Sequence, residues 1–403
     1  MSRGETEVLV IGAGPGGSAT ATLLARAGVR VTLIDRAAFP RDKACSEYLS
    51  PEAIRILARL GALSDLEPLG APLHGTTVRG PRGARLDGTF ARAGHRPFRP
   101  TGLSIARRLL DARLAAGAES AGAVLLQRHA AEDLIYDAGA VAGAVVRDAG
   151  GSRRVIRARL TIGADGLRSI VARRLGRQRY GLPRRMAFVA HVEGVPGLTG
   201  SAEMHVGAGG YVGLNHIGGG VTNVALVVPR ERARTLGGRA EEFFFESVDA
   251  LAGTAGRVRP AGLVRRVMVT GPFAATASRV TADGALLVGD AADFFDPFTG
   301  EGIHAALLGA ELAADIVPAA LAAPGIVRAG RLAGYSAARR RAFLGKWAVE
   351  RMIGYGMWFP RLFDRAVARL ERRGLADTLI GVTGDFVPAR EVLNPWFLAR
   401  MLL

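Results

Sequence analysis

Apolar residues fill positions 8–11 and predominate over 29–34, and a small-residue stretch of helical length, 15–26, lies between them. The first run breaks at Gly12-Ala13-Gly14-Pro15-Gly16-Gly17, and the second ends on an acid, Asp35. This pattern predicts a strand, a glycine turn, a helix and a second strand. Ser50 as N-cap, Pro51 at the first helical position and Gly61 as a stop predict a helix over 52–60. Residues 67–99, rich in Gly, Pro and Arg with short alternating runs, read as excursion strands. A helix is expected over 104–121, a strand over 124–126 and a hairpin from 134–136 and 141–147. A buried strand at 160–163 runs into Gly163-Ala164-Asp165-Gly166 and a helix over 169–175.

Between about 180 and 275 the period changes to two. The runs 187–193, 202–206, 211–216, 221–228 and 264–269 alternate, as strands of an antiparallel sheet do. The α/β pattern resumes at 285–288, ends on Gly289-Asp290, and leads to a long helix after Gly300-Glu301-Gly302. From 333 onward the pattern is helical and holds Trp347, Trp358 and Trp396. A strand returning so late makes the first unit discontinuous, with the antiparallel sheet inserted into it.

The turn at 12–17 has a physical use. Gly12 allows a tight bend, Gly14 lets the backbone approach a pyrophosphate, and Gly17 lets the helix pack on the strand. The helix start, with Pro15 and Gly16 in its first turn, then faces the phosphate charge. Asp35 stands where a carboxylate accepts a ribose hydroxyl. Residues 8–25 carry no charge and could be taken for a membrane segment, but Pro15, Gly16 and Gly17 interrupt them. Dinucleotide binding is the better reading.

Composition narrows the class further. Cys45 is the one cysteine, so intrachain disulfides and multi-cysteine zinc sites are excluded, and a reducing cytoplasm is expected. Residues 1–7 are polar, unlike a signal peptide. The formal charge is +17, yet lysine occurs only at Lys43 and Lys346 and the arginines are scattered rather than striped. Nucleic-acid binding is therefore not expected, whereas attraction of an anionic cofactor or membrane surface is.

Taken together, Gly12 to Gly17 with Asp35, then Gly163-Ala164-Asp165-Gly166, then Gly289-Asp290-Ala291-Ala292, resemble the flavoprotein family of aromatic hydroxylases, geranylgeranyl and menaquinone reductases and flavin-dependent halogenases. Arg107-Arg108-Leu109-Leu110-Asp111 is similar to that family's arginine-leucine-aspartate helix. The resemblance implies an α/β fold: a Rossmann-like FAD-binding domain at 1–66, 100–178 and 277–332, an antiparallel substrate-binding sheet at 67–99 and 179–276, and a helical region at 333–403. It implies that Asp165 contacts the pyrophosphate region and Asp290 a ribityl hydroxyl of FAD. It also implies that Pro297, Gly300, Glu301, Gly302 and Ile303 pass beside the flavin ring. Asp296-Pro297-Phe298-Thr299-Gly300-Glu301-Gly302 and Pro40-Arg41-Asp42-Lys43-Ala44-Cys45 look most like the reductases, and Arg36, Arg41, Lys43, Ala44 and Arg107 join the expected cofactor contacts. Halogenases carry a WxWxIP motif, which this sequence lacks. The tyrosine-x-tryptophan-x-phenylalanine-proline strand of the prenyl reductases is reduced here to Tyr211-Val212-Gly213-Leu214-Asn215-His216.

The candidate chemistry is that of an FAD-dependent oxidoreductase acting on a lipophilic, polyketide- or isoprenoid-derived molecule. NAD(P)H would be a transient reductant, since no second dinucleotide motif is present. In an alkene reduction Cys45 would donate the proton; its bland alternative is a small buried residue. In a hydroxylation of a phenolic lipid through a flavin hydroperoxide, Asn215 or His216 would meet the phenol. A flavin-binding protein without turnover is the third reading. No metal site is expected. Residues 360–373 gather Leu362, Phe363, Val367 and Leu370 on one face and arginines on the others. Such a helix either docks on the core, the preferred reading, or lies on a membrane surface.

Overall fold

In the computed structural model, residues 6–234, 236 and 238–402 are described. A six-stranded sheet is built around the strand Val8–Ile11. It has Leu160–Gly163 and Ala285–Leu287 on one side, Val31–Asp35 and Val124–Gln127 on the other, all parallel. Thr281–Ala282 closes one edge as an antiparallel strand. Val8 pairs with both Leu160 and Val31, so the carboxyl ends of the central strands come level. A ligand crevice belongs at such ends.

Alternation along the central strands feeds two cores. Val8, Val10 and Leu33 point to one face. There they meet helices α1 (Pro15–Arg26), α2 (Pro51–Leu60) and α3 (Arg107–Ser120). Leu9, Ile11 and Ile34 point to the other, against a three-stranded sheet of Ala130–Asp137, Ala140–Arg147 and Arg153–Arg157.

The inserted sheet has seven strands. In order they are Leu263–Thr270, Arg185–Glu193, Val221–Pro229, Gly210–His216, Ala202–Gly207, Gly75–Arg79 and Arg85–Thr89. Only the Ala202–Gly207 and Gly75–Arg79 pair is parallel. One face carries Phe188, Val212, Leu214 and Leu226 against helix α4 (Ala240–Asp249). The two-residue period had led to strands alone across this region. The segment AEEFFFESVD is instead helical, burying Phe244, Ser247 and Val248 at helical spacing.

The chain returns to the first unit in helix α5 (Gly302–Leu321), which packs along α1. A side chain at Gly16 would stand 3.2 Å from the Ala306 carbonyl, so glycine sets that close approach. Among the described residues α5 alone is long and apolar enough to cross a membrane. Its Leu307, Ala310, Ala313 and Val317 are fully buried in the core.

The tail forms α6 (Ala333–Gly356), α7 (Pro360–Arg372), α8 (Ala376–Thr383) and α9 (Pro395–Leu402). These helices cover the second face of the inserted sheet. Val349, Val367, Leu370, Leu375 and Val382 join Ala187, Val189, Met204, Tyr211 and Val227 in one cluster. The amphipathic segment α7 thus docks by Val367 and Leu370, while Leu362 at its start stays 44% exposed.

Candidate active site

One cavity of about 700 Å³ runs from the carboxyl ends of the parallel strands to the inner face of the antiparallel sheet. Its first half is the glycine turn. Gly12 has φ +100°, and a Cβ there would lie 2.5 Å from the Ala164 carbonyl. A Cβ at Gly17 would lie 1.8 Å from the Gly12 carbonyl, so Gly17 packs rather than lines. Gly14 caps α1, and its missing Cβ would meet only Arg107 Nη2 at 3.7 Å and Arg41 Nη2 at 3.9 Å. The positive end of a twelve-residue helix and two guanidinium groups thus converge on one open space.

Asp35 closes that half. Its carboxylate accepts the Ala13 N–H at 2.9 Å and the Ala37 N–H at 2.8 Å, and stands 3.7 Å from Arg41. Arg36, Pro15, Gly16 and Ala44 line the cavity beside it. Arg107 binds Asp111 through Nε and Nη2, both at 2.8 Å, and Arg41 reaches the same carboxylate at 3.0 Å. Burial opposes the charge on Arg107; Asp111 and Cys45 outweigh it and hold the guanidinium charged.

Asp165 and Asp290 flank the middle of the cavity. Burial raises both carboxyls. The Ser169 hydroxyl and Ile170 N–H partly offset this at Asp165, and Lys43 and Arg107 do so at Asp290. Asp165 Oδ2 accepts the Ile170 N–H at 2.6 Å, and Oδ1 is buried without a partner. Lys43 is lowered by burial first, then by Arg107, with Asp290 acting in the opposite sense. These groups and the Gly14 cradle suit a polyhydroxylated, doubly phosphorylated ligand such as FAD. A buried carboxylate oxygen awaits a hydroxyl or N–H, and the cations sit where pyrophosphate would.

Gly289, Pro297, Gly300, Gly302 and Ile303 also line the cavity; Glu301 does not. The expectation that Glu301 passes beside the flavin is corrected here. Its two glycine neighbours face the cavity and its side chain turns the other way, 1% exposed, to take the Ser50 hydroxyl at 3.0 Å.

Cys45 stands at the junction of the two halves. The Glu47 N–H donates to its sulfur at 3.4 Å, and Arg107 is its hydrogen-bond partner from α3. Asn223 on the inserted sheet donates to the carbonyls of Cys45 and Ser46, at 3.2 and 3.0 Å. Glu47, with φ 57°, is fully buried between His191 Nε2 at 2.8 Å and the Arg107 N–H at 2.9 Å. The loop is therefore fixed from three elements.

Asn215 lines the cavity and donates to Ser104 Oγ at 3.2 Å. His216 does not line it and bonds Thr222 at 3.2 Å instead. The sequence reading that gave both a place beside the substrate is corrected. Neighbours on a strand point to opposite faces, and Asn215 holds the inner one. Tyr211 shares that face, donating to Asp296 Oδ1 at 2.6 Å, while Arg185 binds Oδ2 at 2.7 Å. Burial and Asp296 keep the Tyr211 phenol well above its usual range, so it remains a donor. The rest of the chamber is apolar, with Val189, Met204, Val227, Met268, Phe273 and Phe298, and with Leu379 and Ile380 from α8. The α8 contacts were not foreseen; no motif marks them, and they lie far along the chain.

A family model described as "FAD binding domain" matches residues 5–342. The menaquinone reductase of Mycolicibacterium smegmatis is 32% identical over 361 residues, covering 84% of each chain. The digeranylgeranylglycerophospholipid reductase of Methanosarcina mazei is 30% identical over 325 residues, 79% of this chain and 76% of that protein. Among solved structures, the myxobacterial chondrochloren halogenase CndH superposes with a TM-score of 0.79 at 23% identity, covering 98% of this chain and 95% of that one. That likeness is one of fold.

Proposed function

Because the chain belongs to the FAD-binding domain family, as an FAD-dependent oxidoreductase of the menaquinone and geranylgeranyl reductase type, we propose that it saturates a polarised carbon–carbon double bond of a lipophilic, polyketide- or isoprenoid-derived molecule. Gly14 at the start of α1, with Arg41, Arg107, Asp165 and Asp290, would hold FAD, which, re-reduced by transiently bound NAD(P)H, would supply the hydride. The Cys45 thiol gives its proton to the neighbouring carbon, so that one hydride and one proton add across the bond. Arg107 and the Glu47 N–H then face the charge left on sulfur, until solvent returns the proton.

The observation carrying this reading is the position of Cys45. It is a proton-bearing side chain at the junction between the phosphate-cradling half and an apolar chamber suited to a hydrocarbon chain. The hydroxylase reading asked for a base beside a phenol, and His216 faces away. Asn215 remains to orient a polar group of the substrate.

We also propose that the substrate is drawn from an anionic bilayer. Leu182, Tyr355, Trp358, Phe359 and Leu362 are between 38% and 61% exposed. Tyr355 and Trp358 rings lie 5.2 Å apart, and exposed Arg361 and Arg365 flank the patch. Aromatic rings beside arginines suit an interface of anionic headgroups.

The test is an anaerobic single-turnover assay with reduced, FAD-loaded protein and a prenylated quinone. Saturated product without oxygen is expected, and an absolute need for oxygen would overturn the reductase reading in favour of hydroxylation. Cys45→Ala should slow product formation by roughly 10²–10⁴-fold. A full rate would move the proton donor elsewhere.

A further inference from the structure

A second cavity, of about 210 Å³, lies behind the loop that flanks the main one. The two share Asp290, Phe294, Thr299 and Gly302 as their common wall. The second is lined by Glu301, Lys346 and Glu350, none of which the proposed hydride and proton transfer uses.

Glu301 is the N-cap residue of α5, a twenty-residue helix whose N-terminus points at the main cavity. Its Oε2 takes the Ser50 hydroxyl, while Oε1 is buried with no partner. Around it stand His304 on its own helix at 3.8 Å, Lys346 and Glu350 on α6, Asp385 after α8, and Tyr48 ahead of α2. Lys346 lies 2.5 Å from Asp385, and His304 2.6 Å from the same oxygen. The donor atoms of Glu301, His304 and Asp385 gather within 4.8 Å, and the cation among them is the Lys346 ammonium. That ammonium is already matched by Asp385. An ionised Glu301 would be a second, unmatched negative charge in a buried place.

We propose that Glu301 is a proton-holding group coupled to the charge in the cofactor cavity: it keeps a proton on Oε1, leaving the α5 N-terminus positive toward bound FAD, with Glu350 and the second cavity as its route to solvent. The inference rests on the main cavity taking FAD. The bookkeeping is one proton: it moves from solvent through the Glu350 carboxyl to Glu301, and Glu350 is reprotonated from bulk water.

The surroundings agree in sign. Burial pushes Glu301 up to about 8, with Lys346 opposing and Asp385 adding to the rise, and burial pushes Glu350 up to about 7. An anionic ligand in the main cavity raises Glu301 further. The loaded protein therefore holds the proton more tightly than the empty one. Affinity for FAD is greatest below pH 8 and falls as pH rises through it, about tenfold for each pH unit by which loading moves the carboxyl.

Calorimetric titration of FAD into the full, deflavinated chain, in buffers of different ionisation enthalpy at pH 8, reads the proton directly. Uptake of a fraction of a proton is expected, with Kd rising roughly three- to tenfold from pH 7 to pH 9. In Glu301→Gln both should vanish, leaving a flat profile. The same rise in Glu301→Gln would assign the titration to another group, Lys43 foremost, and overturn the proposal. Wild-type binding without uptake would overturn it with no variant needed. Failure to bind FAD at any pH would instead sink the cofactor reading beneath it.

Discussion

Replacing Gly14 by alanine separates the fold from the site. The missing Cβ of Gly14 has only two guanidinium nitrogens within 4 Å, at 3.7 and 3.9 Å, and otherwise faces the cavity. Its φ is −73°, a value any residue adopts. The empty protein should accept the methyl group with little change, losing about 0.5–1 kcal/mol because alanine caps a helix less well than glycine. A methyl group there stands where a pyrophosphate must approach the helix start. Displacing it by the width of that methyl breaks one or two charge-assisted hydrogen bonds, about 1.5–3 kcal/mol each. A loss of about 2–4 kcal/mol weakens FAD binding roughly thirty- to several-hundredfold. Gly17→Ala is the contrast, because its Cβ would lie 1.8 Å from the Gly12 carbonyl. The helix must then move, and the fold should lose about 3 kcal/mol or more. Flavin fluorescence titration gives affinity, and thermal melts with and without FAD give both stabilities. Gly14→Ala should melt close to wild type when empty and gain little from FAD. Wild-type affinity in Gly14→Ala, or wild-type stability in Gly17→Ala, would refute this account of the turn.

Three further expectations come from other parts of the molecule. Burial works against the charge on Glu203, but His205 at 2.7 Å and Arg257 at 2.6 Å outweigh it and hold the carboxyl down to about 2. A lowered carboxyl stabilises the fold above its unfolded value, near 4.5, and that stabilisation fades as pH falls toward 2. Glu203→Gln should therefore unfold earlier in urea at pH 7, by about 1 kcal/mol after solvent screening, and match wild type near pH 2; a constant gap across pH would contradict the pairing. Gly213 on the chamber wall would place a Cβ 3.2 Å from Met204 Sδ, so an indole there must occupy the chamber. Gly213→Trp should raise KM for long prenyl chains more than for short ones, and equal effects would argue that the chain lies elsewhere. Changing Trp358, Phe359 and Leu362 together to serine should leave the melting point within a few degrees, since all three are exposed. Sedimentation with anionic vesicles should drop at least tenfold, and unaltered partitioning would remove the bilayer from the proposal.

Legibility in the sequence followed the backbone. Gly12, Gly14 and Gly17 are glycines because a Cβ at each would strike a carbonyl or fill the cradle, and such constraints leave a spaced, readable pattern. The α/β unit with its inserted sheet was readable for the same reason, since a change of period from helical to two announces a change of layer. Side-chain direction was only half readable. That Asn215 and His216 face opposite ways follows from strand geometry alone. No such rule tells which way Glu301 turns between two glycines. Leu379 and Ile380 left no mark, because an apolar residue lining a cavity has the same identity as one filling a core. Helix α4 was hidden by three consecutive phenylalanines, which suit a strand as well as a helix face.

The residues at the junction tie the inserted sheet to two loops of the first unit. Asp296 takes Tyr211 and Arg185 from the inserted sheet and the Phe298 N–H of its own loop, at 2.6, 2.7 and 3.1 Å. Asn223 of the same sheet donates to the successive carbonyls of Cys45 and Ser46. The sheet therefore positions two segments that line the cavity at the junction of its halves, although neither segment belongs to it. The bonds from Tyr211 and Arg185 to Asp296 are buried and those of Asn223 partly so, and breaking one would strand a charge or a carbonyl. A chamber wall tied to both loops fixes the distance between them more firmly than two independently folded layers could. The inserted sheet thus does more than wall the chamber; it holds the Cys45 loop and the Asp296 loop in one fixed relation.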